Sequence, residues 1–161
     1  MSGYQYKAHK TRYANIEFRS RLEATWAAFF DLAGWKWKYE PFDLTGWSPD
    51  FEISHVKHMP SPIPVEVKPD WEMANDAVSK ILASNVSRAM LLANGPGVPD
   101  GWADDQIMTF DHKPGTPMGV VLYLAAGDDR YENQALTFCP RFVKEHLWAE
   151  ATNLTRWKPG Q

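Results

Sequence analysis

The sequence contains one cysteine, Cys139, and no long apolar run. A lone thiol cannot close an intramolecular disulfide or supply a cysteine-rich zinc site, which fits a reducing compartment. No stretch approaches the roughly eighteen consecutive apolar residues that a membrane-spanning helix needs, and residues 1–6 lack the apolar core of a secretory signal. The expectation is a soluble protein of the cytoplasm with no membrane partner.

The chain also lacks a strong excess of either charge. Its formal net charge is −3, which argues against a protein that coats nucleic acid non-specifically. The charges are unevenly distributed, because residues 1–40 carry seven Lys and Arg against four Asp and Glu, whereas residues 97–135 carry two against seven. A basic surface is therefore expected in the N-terminal quarter, although solvated surface charge would give the same counts.

Apolar and aromatic residues are plentiful by contrast. Of the 161 residues, 44% are hydrophobic and 14% aromatic, including eight tryptophans, which is enough to bury the core of one globular domain. No internal repeat, low-complexity tract or linker divides the chain. We therefore predict a single domain over residues 1–161, with a loosely held basic arm (1–14), a core (15–95) and a C-terminal elaboration (96–161).

The first periodic pattern after the arm is helical. Apolar residues recur at spacings of four, four, three and four, and they are Phe18, Leu22, Trp26, Phe29 and Ala33. This stripe predicts an amphipathic helix over about residues 17–33. A competing interpretation starts the helix later, because Ser20 and Glu23 have the spacing of a capping box with Ser20 as N-cap. Under the first interpretation, Glu23 lies at the margin of the buried stripe and can face a site.

Strand and helix patterns alternate along the rest of the chain. Short β-branched, aromatic or continuous apolar runs predict strands at 35–39, 49–53, 63–68, 89–93, 107–110 and 119–124. Helices are predicted at about 70–87 and 142–151, and a loop at 96–106. The predicted fold class is α/β, in the order helix, three strands, helix, strand, followed by a C-terminal addition.

The third of these strands carries an acidic and a basic residue two positions apart. Because strand side chains alternate with a period of two, Glu66 and Lys68 point from one face of the sheet, and Val65 and Val67 from the other. Asp50, at the start of the preceding strand, brings a second carboxylate close if the two strands form a hairpin. Glu-x-Lys alone is common on the wet face of an edge strand, so the pairing with Asp50 makes the pattern informative.

Two converging carboxylates favour a cation between them, because like charges in close proximity do not both ionise readily. Mg²⁺ suits such a place, since it takes oxygen ligands, keeps several waters, and binds one or two carboxylates plus a substrate phosphate. Asp50 and Glu66 are the predicted ligands, with the backbone carbonyl of Val67 as a further oxygen and Glu23 as a supporting carboxylate. Lys68 would position the water that attacks phosphorus.

Basic residues near the N-terminus are the candidate phosphate contacts. Arg19 and Arg21 lie next to the proposed site in sequence order, and Lys10 and Arg12 lie in the arm. We predict that these four side chains contact phosphate groups of a substrate. An ordinary solvated surface would account for them equally well.

Together these motifs resemble a known family. Pro49-Asp50, followed by Glu66-Val67-Lys68 and preceded by a helix bearing Glu23, resembles the PD-(D/E)xK nuclease superfamily. Residues 18–31, followed by residues 37–41, are similar to a small group of such proteins encoded by phages and prophages. The resemblance covers about residues 11–95, and its three motifs are specific in combination, not singly.

The resemblance implies a restriction-endonuclease-like core, a mixed sheet of about four strands flanked by helices in the order αβββαβ. It also implies Mg²⁺- or Mn²⁺-dependent cleavage of DNA, with Glu23, Asp50, Glu66 and Lys68 as the catalytic residues, in phage DNA processing or recombination in the host cytoplasm. One alternative is a catalytically weak or inactive nucleic-acid-binding or inhibitory module on the same fold, and another is a small domain of a phage assembly. The sequence does not indicate whether the cleavage is endo- or exonucleolytic, which DNA structure is preferred, or whether the protein forms a homodimer. It indicates no protein partner.

Overall fold

The computed structural model of the protein describes most of the N-terminal third of the chain and separate segments beyond it. The described residues are 8–54, 62–69, 77, 79–81, 83–84, 86, 88–92, 95, 108–111, 120–123 and 141–156. The loop predicted at 96–106 lies outside these ranges, as does most of the helix predicted at 70–87, of which Ala77, residues 79–81 and Ala83 are helical. No helix in the described ranges is long and apolar enough to cross a membrane.

Residues 11–18 form a β-hairpin, so the prediction of a helix starting near residue 17 is wrong, and residues 11–14 of the predicted arm belong to this hairpin. Strand β1 (Thr11–Tyr13) pairs antiparallel with β2 (Ile16–Phe18). The two loop residues, Ala14 and Asn15, have positive φ angles of 48° and 64°, as a type I′ turn requires. Asparagine is often found with a positive φ angle, but alanine rarely is, so an Ala-Asn pair does not indicate a type I′ turn in the sequence.

Helix α1 (Arg21–Leu32) begins after Ser20, as the capping-box interpretation predicted. Ser20 is extended, with φ −137° and ψ 156°, and its hydroxyl oxygen accepts a 3.1 Å hydrogen bond from the N–H of Glu23. Gly34 follows the helix with φ 78°, a conformation that glycine adopts without steric strain. Phe18 fits the helical stripe by spacing, but it is a buried residue of β2.

A six-stranded mixed sheet forms the centre of the described structure, and its strands lie side by side in chain order. They are β3 (Lys36–Tyr39), β4 (Phe51–Ser54), β5 (Ile63–Val67), β6 (Arg88–Leu92), β7 (Met108–Asp111) and β8 (Val120–Tyr123). The β5–β6 pair is parallel and the other four neighbouring pairs are antiparallel. The strands β3 to β6 match the four predicted for the core, whereas β7 and β8, predicted as part of a C-terminal addition, extend the same sheet.

Helical segments pack on both faces of this sheet. One face contacts α1 through an aromatic-rich core, to which Leu147, Trp148 and Ala151 of α2 (Arg141–Leu154) contribute. A smaller cluster lies on the other face and consists of Trp47, Ala77, Ile81, Ala89 and Leu91. The helical residues of this second cluster, Ala77 and Ile81, come between β5 and β6 along the chain. Two parallel neighbouring strands need a crossover connection of this kind. The prediction of an α/β fold with a mixed sheet flanked by helices is thus confirmed.

Candidate functional site

Asp50 and Glu66 meet at one end of the β4–β5 pair. Phe51 lies opposite Val65 in the antiparallel register, which puts Asp50 beside Glu66 on one face, because opposed residues of paired strands point the same way. Both residues are buried, with 4% and 6% of their surface exposed. A charged carboxylate is costly at such a depth unless it has close partners.

Both oxygens of the Asp50 carboxylate accept hydrogen bonds. The Arg19 guanidinium donates to Oδ1 at 2.7 Å, and the N–H of Val67 donates to Oδ2 at 2.8 Å. The pKa of Asp50 is nevertheless raised to about 7, chiefly by burial and then by the negative charges of Glu66 and Glu23, while the Val67 hydrogen bond acts in the opposite direction. A cation at this carboxylate would favour its charged form.

The carboxylate of Glu66 is also held at both oxygens. The indole Nε1–H of Trp47 donates to Oε2 at 2.7 Å, and the Lys68 ammonium donates to Oε1. Glu66 and Lys68 therefore project from one face of the sheet, as the alternation predicted. The main-chain N–H of Lys68 donates to the carbonyl of Leu92 on β6 at 2.9 Å, which anchors the lysine at the end of β5.

The main chain of Val67 faces Asp50. Its N–H donates to the Asp50 side chain, and the N–H and C=O of one strand residue lie on the same edge of the strand. The Val67 carbonyl therefore lies on the Asp50 side of β5, beyond the point where Phe51 begins β4. This position suits the carbonyl for the predicted role of a further oxygen ligand.

Glu23 approaches the same site from the first turn of α1, where 8% of its surface is exposed. Ser20 Oγ lies 2.9 Å from its Oε1, and the phenolic O–H of Tyr39 donates to its Oε2 at 2.5 Å. The later start of α1 thus does not remove Glu23 from the site, because Tyr39 connects it to Arg19, which contacts Asp50.

Arg19 joins the start of α1 to the strands β3 and β4. Besides its contact with Asp50, its Nε forms a 3.0 Å ion pair with Oε1 of Glu40. The main-chain N–H of Arg19 donates to the Tyr39 hydroxyl at 3.1 Å. Burial and the hydrogen bond to Glu23 raise the pKa of Tyr39 to about 12, so this phenol stays protonated and can donate to Glu23 at neutral pH.

The other predicted phosphate contacts have neighbours elsewhere. The Arg21 guanidinium lies 3.5 Å from the carbonyl oxygen of Thr152 on α2. Lys10 forms a 3.0 Å ion pair with Glu17, and Arg12 lies opposite Glu17 in the β1–β2 hairpin. The structure therefore brings Arg19 to the carboxylate pair and puts the other three cations on the hairpin or against α2.

The site offers a cation few protein ligands. Among the residues that the structure describes, no three His, Cys, Asp or Glu side chains are grouped closely enough to hold a metal ion by themselves. Mg²⁺ commonly takes one or two carboxylates and completes its shell with waters and a phosphate. The Asp50–Glu66 pair and the Val67 carbonyl fit that pattern.

Three residues at the site were not predicted from the sequence. Tyr39 and Glu40 were assigned only to the end of a strand, and Trp47 to a turn. Trp47 is buried although it lies in a loop, and a buried indole N–H usually has an acceptor nearby. A tryptophan three residues before Asp50 was the one signal available, whereas nothing local pointed to the hydrogen bonds of Tyr39 or to the ion pair of Glu40.

Comparison with known proteins assigns no family to this chain. No protein-family model, no curated protein and no solved structure matches it. The likeness to the PD-(D/E)xK superfamily therefore stays a prediction from the motifs, and function has to be inferred from the geometry and charge of the site.

Proposed function

We propose that this protein is a metal-dependent deoxyribonuclease that hydrolyses phosphodiester bonds on a core of the restriction-endonuclease-like kind. The observation that carries the proposal is the buried pair of carboxylates, Asp50 and Glu66, with the Lys68 ammonium in contact with Glu66. The succession of α1, three antiparallel strands, a crossover and the parallel strand β6 supports the finer assignment of the fold.

Asp50 and Glu66 would hold Mg²⁺, or Mn²⁺ in its place, together with the Val67 carbonyl. The raised pKa of Asp50 supports this assignment, because a divalent cation would offset the burial and the neighbouring negative charges that disfavour the ionised carboxyl. Such an ion, when bound, neutralises charge on the phosphate and lowers the pKa of a water molecule.

Lys68 is suited to positioning the attacking water. Its ammonium contacts Glu66, and 27% of its side chain is exposed, so its charge is held at the carboxylate pair without being fully buried. A positive charge there would offset the negative charge that develops on the phosphate oxygens in the transition state. Arg19 would orient the phosphate, and Glu23 would support the site through Tyr39 and Arg19.

DNA is the substrate that the motifs favour, in phage DNA processing or recombination in the host cytoplasm. Arg12 lies on the β1–β2 hairpin, which precedes Arg19 directly in the chain, and Lys10 comes immediately before the hairpin and pairs with Glu17 of β2. We assign to these two residues sequence-independent contacts with the DNA backbone next to the site.

A second candidate is a module that binds nucleic acid without cleaving it. One observation favours it: each of the four oxygens of Asp50 and Glu66 already has a protein donor, from Arg19, Val67, Trp47 or Lys68. Such a network satisfies two buried carboxylates without a metal, as a purely structural cluster would.

The deciding experiment is incubation of the purified protein with linear, circular, single-stranded and branched DNA in Mg²⁺, Mn²⁺ or EDTA. We expect metal-dependent cleavage of at least one substrate, reduced about 100-fold or more by Lys68→Ala and by Asp50→Ala. Lys38→Ala and Glu52→Ala are matched controls, because Lys38 and Glu52 form a second lysine–glutamate pair, at 3.2 Å, on neighbouring strands of the same sheet.

Two results would count against the enzyme. Cleavage that survives both Lys68→Ala and Asp50→Ala would exclude this site as its source. DNA binding with no cleavage of any substrate would favour the non-catalytic module.

A further inference from the structure

Arg19 has two carboxylate partners in different surroundings. Its NH2 group contacts Asp50, whose side chain is 6% exposed, and its Nε contacts Glu40, whose side chain is 51% exposed. The Arg19 side chain is itself 61% exposed. The Arg19 guanidinium therefore reaches the buried Asp50 carboxylate from the solvent side. If it moves away from Asp50, Glu40 is still available as an ionic partner.

The main chain at Arg19 is fixed independently of this side chain. Its N–H donates to the Tyr39 hydroxyl at 3.1 Å, and the Tyr39 ring packs on Phe18 with the ring centroids 4.5 Å apart. The next residue, Ser20, caps α1. A guanidinium on a fixed backbone can exchange partners by side-chain rotation, with no change in the fold.

We infer that Arg19 is the internal counter-ion of Asp50 in the metal-free site, and that it is released to Glu40 and to a DNA phosphate when Asp50 takes up a divalent cation. This inference rests on the proposed nuclease function and adds its regulation. Arg19 and a metal compete for Asp50 Oδ1, so metal uptake and phosphate binding by Arg19 favour one another. Coupling of this kind is reciprocal, since each ligand raises the affinity for the other by the same factor.

The first test is titration of the full chain with Mg²⁺ alone by isothermal titration calorimetry. We expect Arg19→Gln to tighten Mg²⁺ binding about two- to fivefold, which is the fold-change that corresponds to an ion pair with one solvent-exposed member. Arg21→Gln is the matched control: it removes the same charge two positions along the chain, from a guanidinium that contacts the Thr152 carbonyl. It should leave Mg²⁺ affinity unchanged.

Glu40 gives a second variant at an exposed position, where loss of folding is not expected. Glu40→Gln removes the alternative partner of Arg19 and should weaken Mg²⁺ binding. In an Arg19→Gln background the same change should have no effect, because Glu40 acts only through Arg19. An equal loss with and without Arg19 would show that Glu40 acts on the metal directly and would overturn this part of the inference.

The second test measures DNA binding by fluorescence anisotropy of a labelled oligonucleotide, in EDTA and in Ca²⁺, with the length of the DNA checked afterwards. Ca²⁺ takes the same kind of oxygen ligands as Mg²⁺. Ca²⁺ should strengthen DNA binding by the unaltered protein, and this gain should largely disappear in Arg19→Gln.

The outcomes separate this inference from the proposed function. If the unaltered protein binds Mg²⁺ and Arg19→Gln binds it no more tightly, the inference is overturned and the nuclease proposal stays intact. Absence of Mg²⁺ and Mn²⁺ binding in both proteins would overturn the proposed metal site, and the inference with it.

Discussion

The indole of Trp47 donates a 2.7 Å hydrogen bond to Oε2 of Glu66, and both residues are buried. Trp47 belongs to the loop before β4, whereas Glu66 lies on β5. Because the other oxygen of Glu66 contacts Lys68, this bond orients the carboxylate toward the lysine. A loop residue thus sets the direction of a side chain on the sheet.

We expect Trp47→Phe to lower the free energy of unfolding by about 1–3 kcal/mol, because it leaves a buried carboxylate oxygen without its donor. Chemical denaturation followed by circular dichroism measures the change. Trp37→Phe is the matched control, since Trp37 donates a 2.9 Å hydrogen bond to the exposed Asp31. This substitution should lower the free energy of unfolding by less than Trp47→Phe does. Equal losses in the two variants would contradict a special role for the buried bond.

Tyr39→Phe should reduce DNA cleavage about tenfold while the ring keeps its packing, because Glu23 loses a donor and the Arg19 main chain an acceptor. Initial rates with the best substrate measure the effect. Tyr13→Phe is the control, because it removes a similar hydroxyl that donates a 2.8 Å hydrogen bond to Asp31. Asp31 is not part of the carboxylate pair, so the cleavage rate should stay unchanged. A similar fall in both variants would indicate a general loss of stability.

The metal-free protein should become less stable as the pH rises toward 8. Folding raises the pKa of Asp50 from 3.8 to about 7, so the folded state binds this proton more tightly than the unfolded chain. The stabilisation is complete below about pH 4 and is lost as the pH rises through about 7. Mg²⁺ affinity should increase over the same rise, since the metal binds the ionised carboxylate.

Denaturation in EDTA between pH 5 and 8 tests this prediction. The free energy of unfolding should depend less on pH in Asp50→Asn than in the unaltered protein. Glu52→Gln, a change two residues further along the chain, should leave this pH dependence unaltered. An Asp50→Asn profile as steep as the original would assign the titration to another group.

Ser20→Ala should lower the free energy of unfolding by about 1 kcal/mol, because the hydroxyl caps α1 through the N–H of Glu23. Thermal and chemical unfolding both measure the loss. Ser48→Ala is the comparison, since its hydroxyl donates to Asp43 at the surface and caps no described helix. If both variants unfold alike, the cap contributes little.

Local patterns predicted the elements better than their boundaries. The strands β3 to β6 follow from alternation or short apolar runs, and the shared face of Glu66 and Lys68 follows from the period of two. The start of α1 was ambiguous because Phe18 fits the helical stripe, although it is buried from a strand. A hairpin turn of Ala14 and Asn15 contains no glycine to mark it, so local patterns do not predict the strand before it.

Spacing along single elements is enough to identify the candidate carboxylates, the lysine and the fold class, because it fixes which way the side chains of one element point. Which donor meets each carboxylate depends on how the elements pack together. Arg19 and Asp50 are 31 residues apart in the chain, Trp47 and Glu66 are 19 apart, and Tyr39 and Glu23 are 16 apart. Contacts between separate elements depend on strand register and helix packing, which no local period encodes.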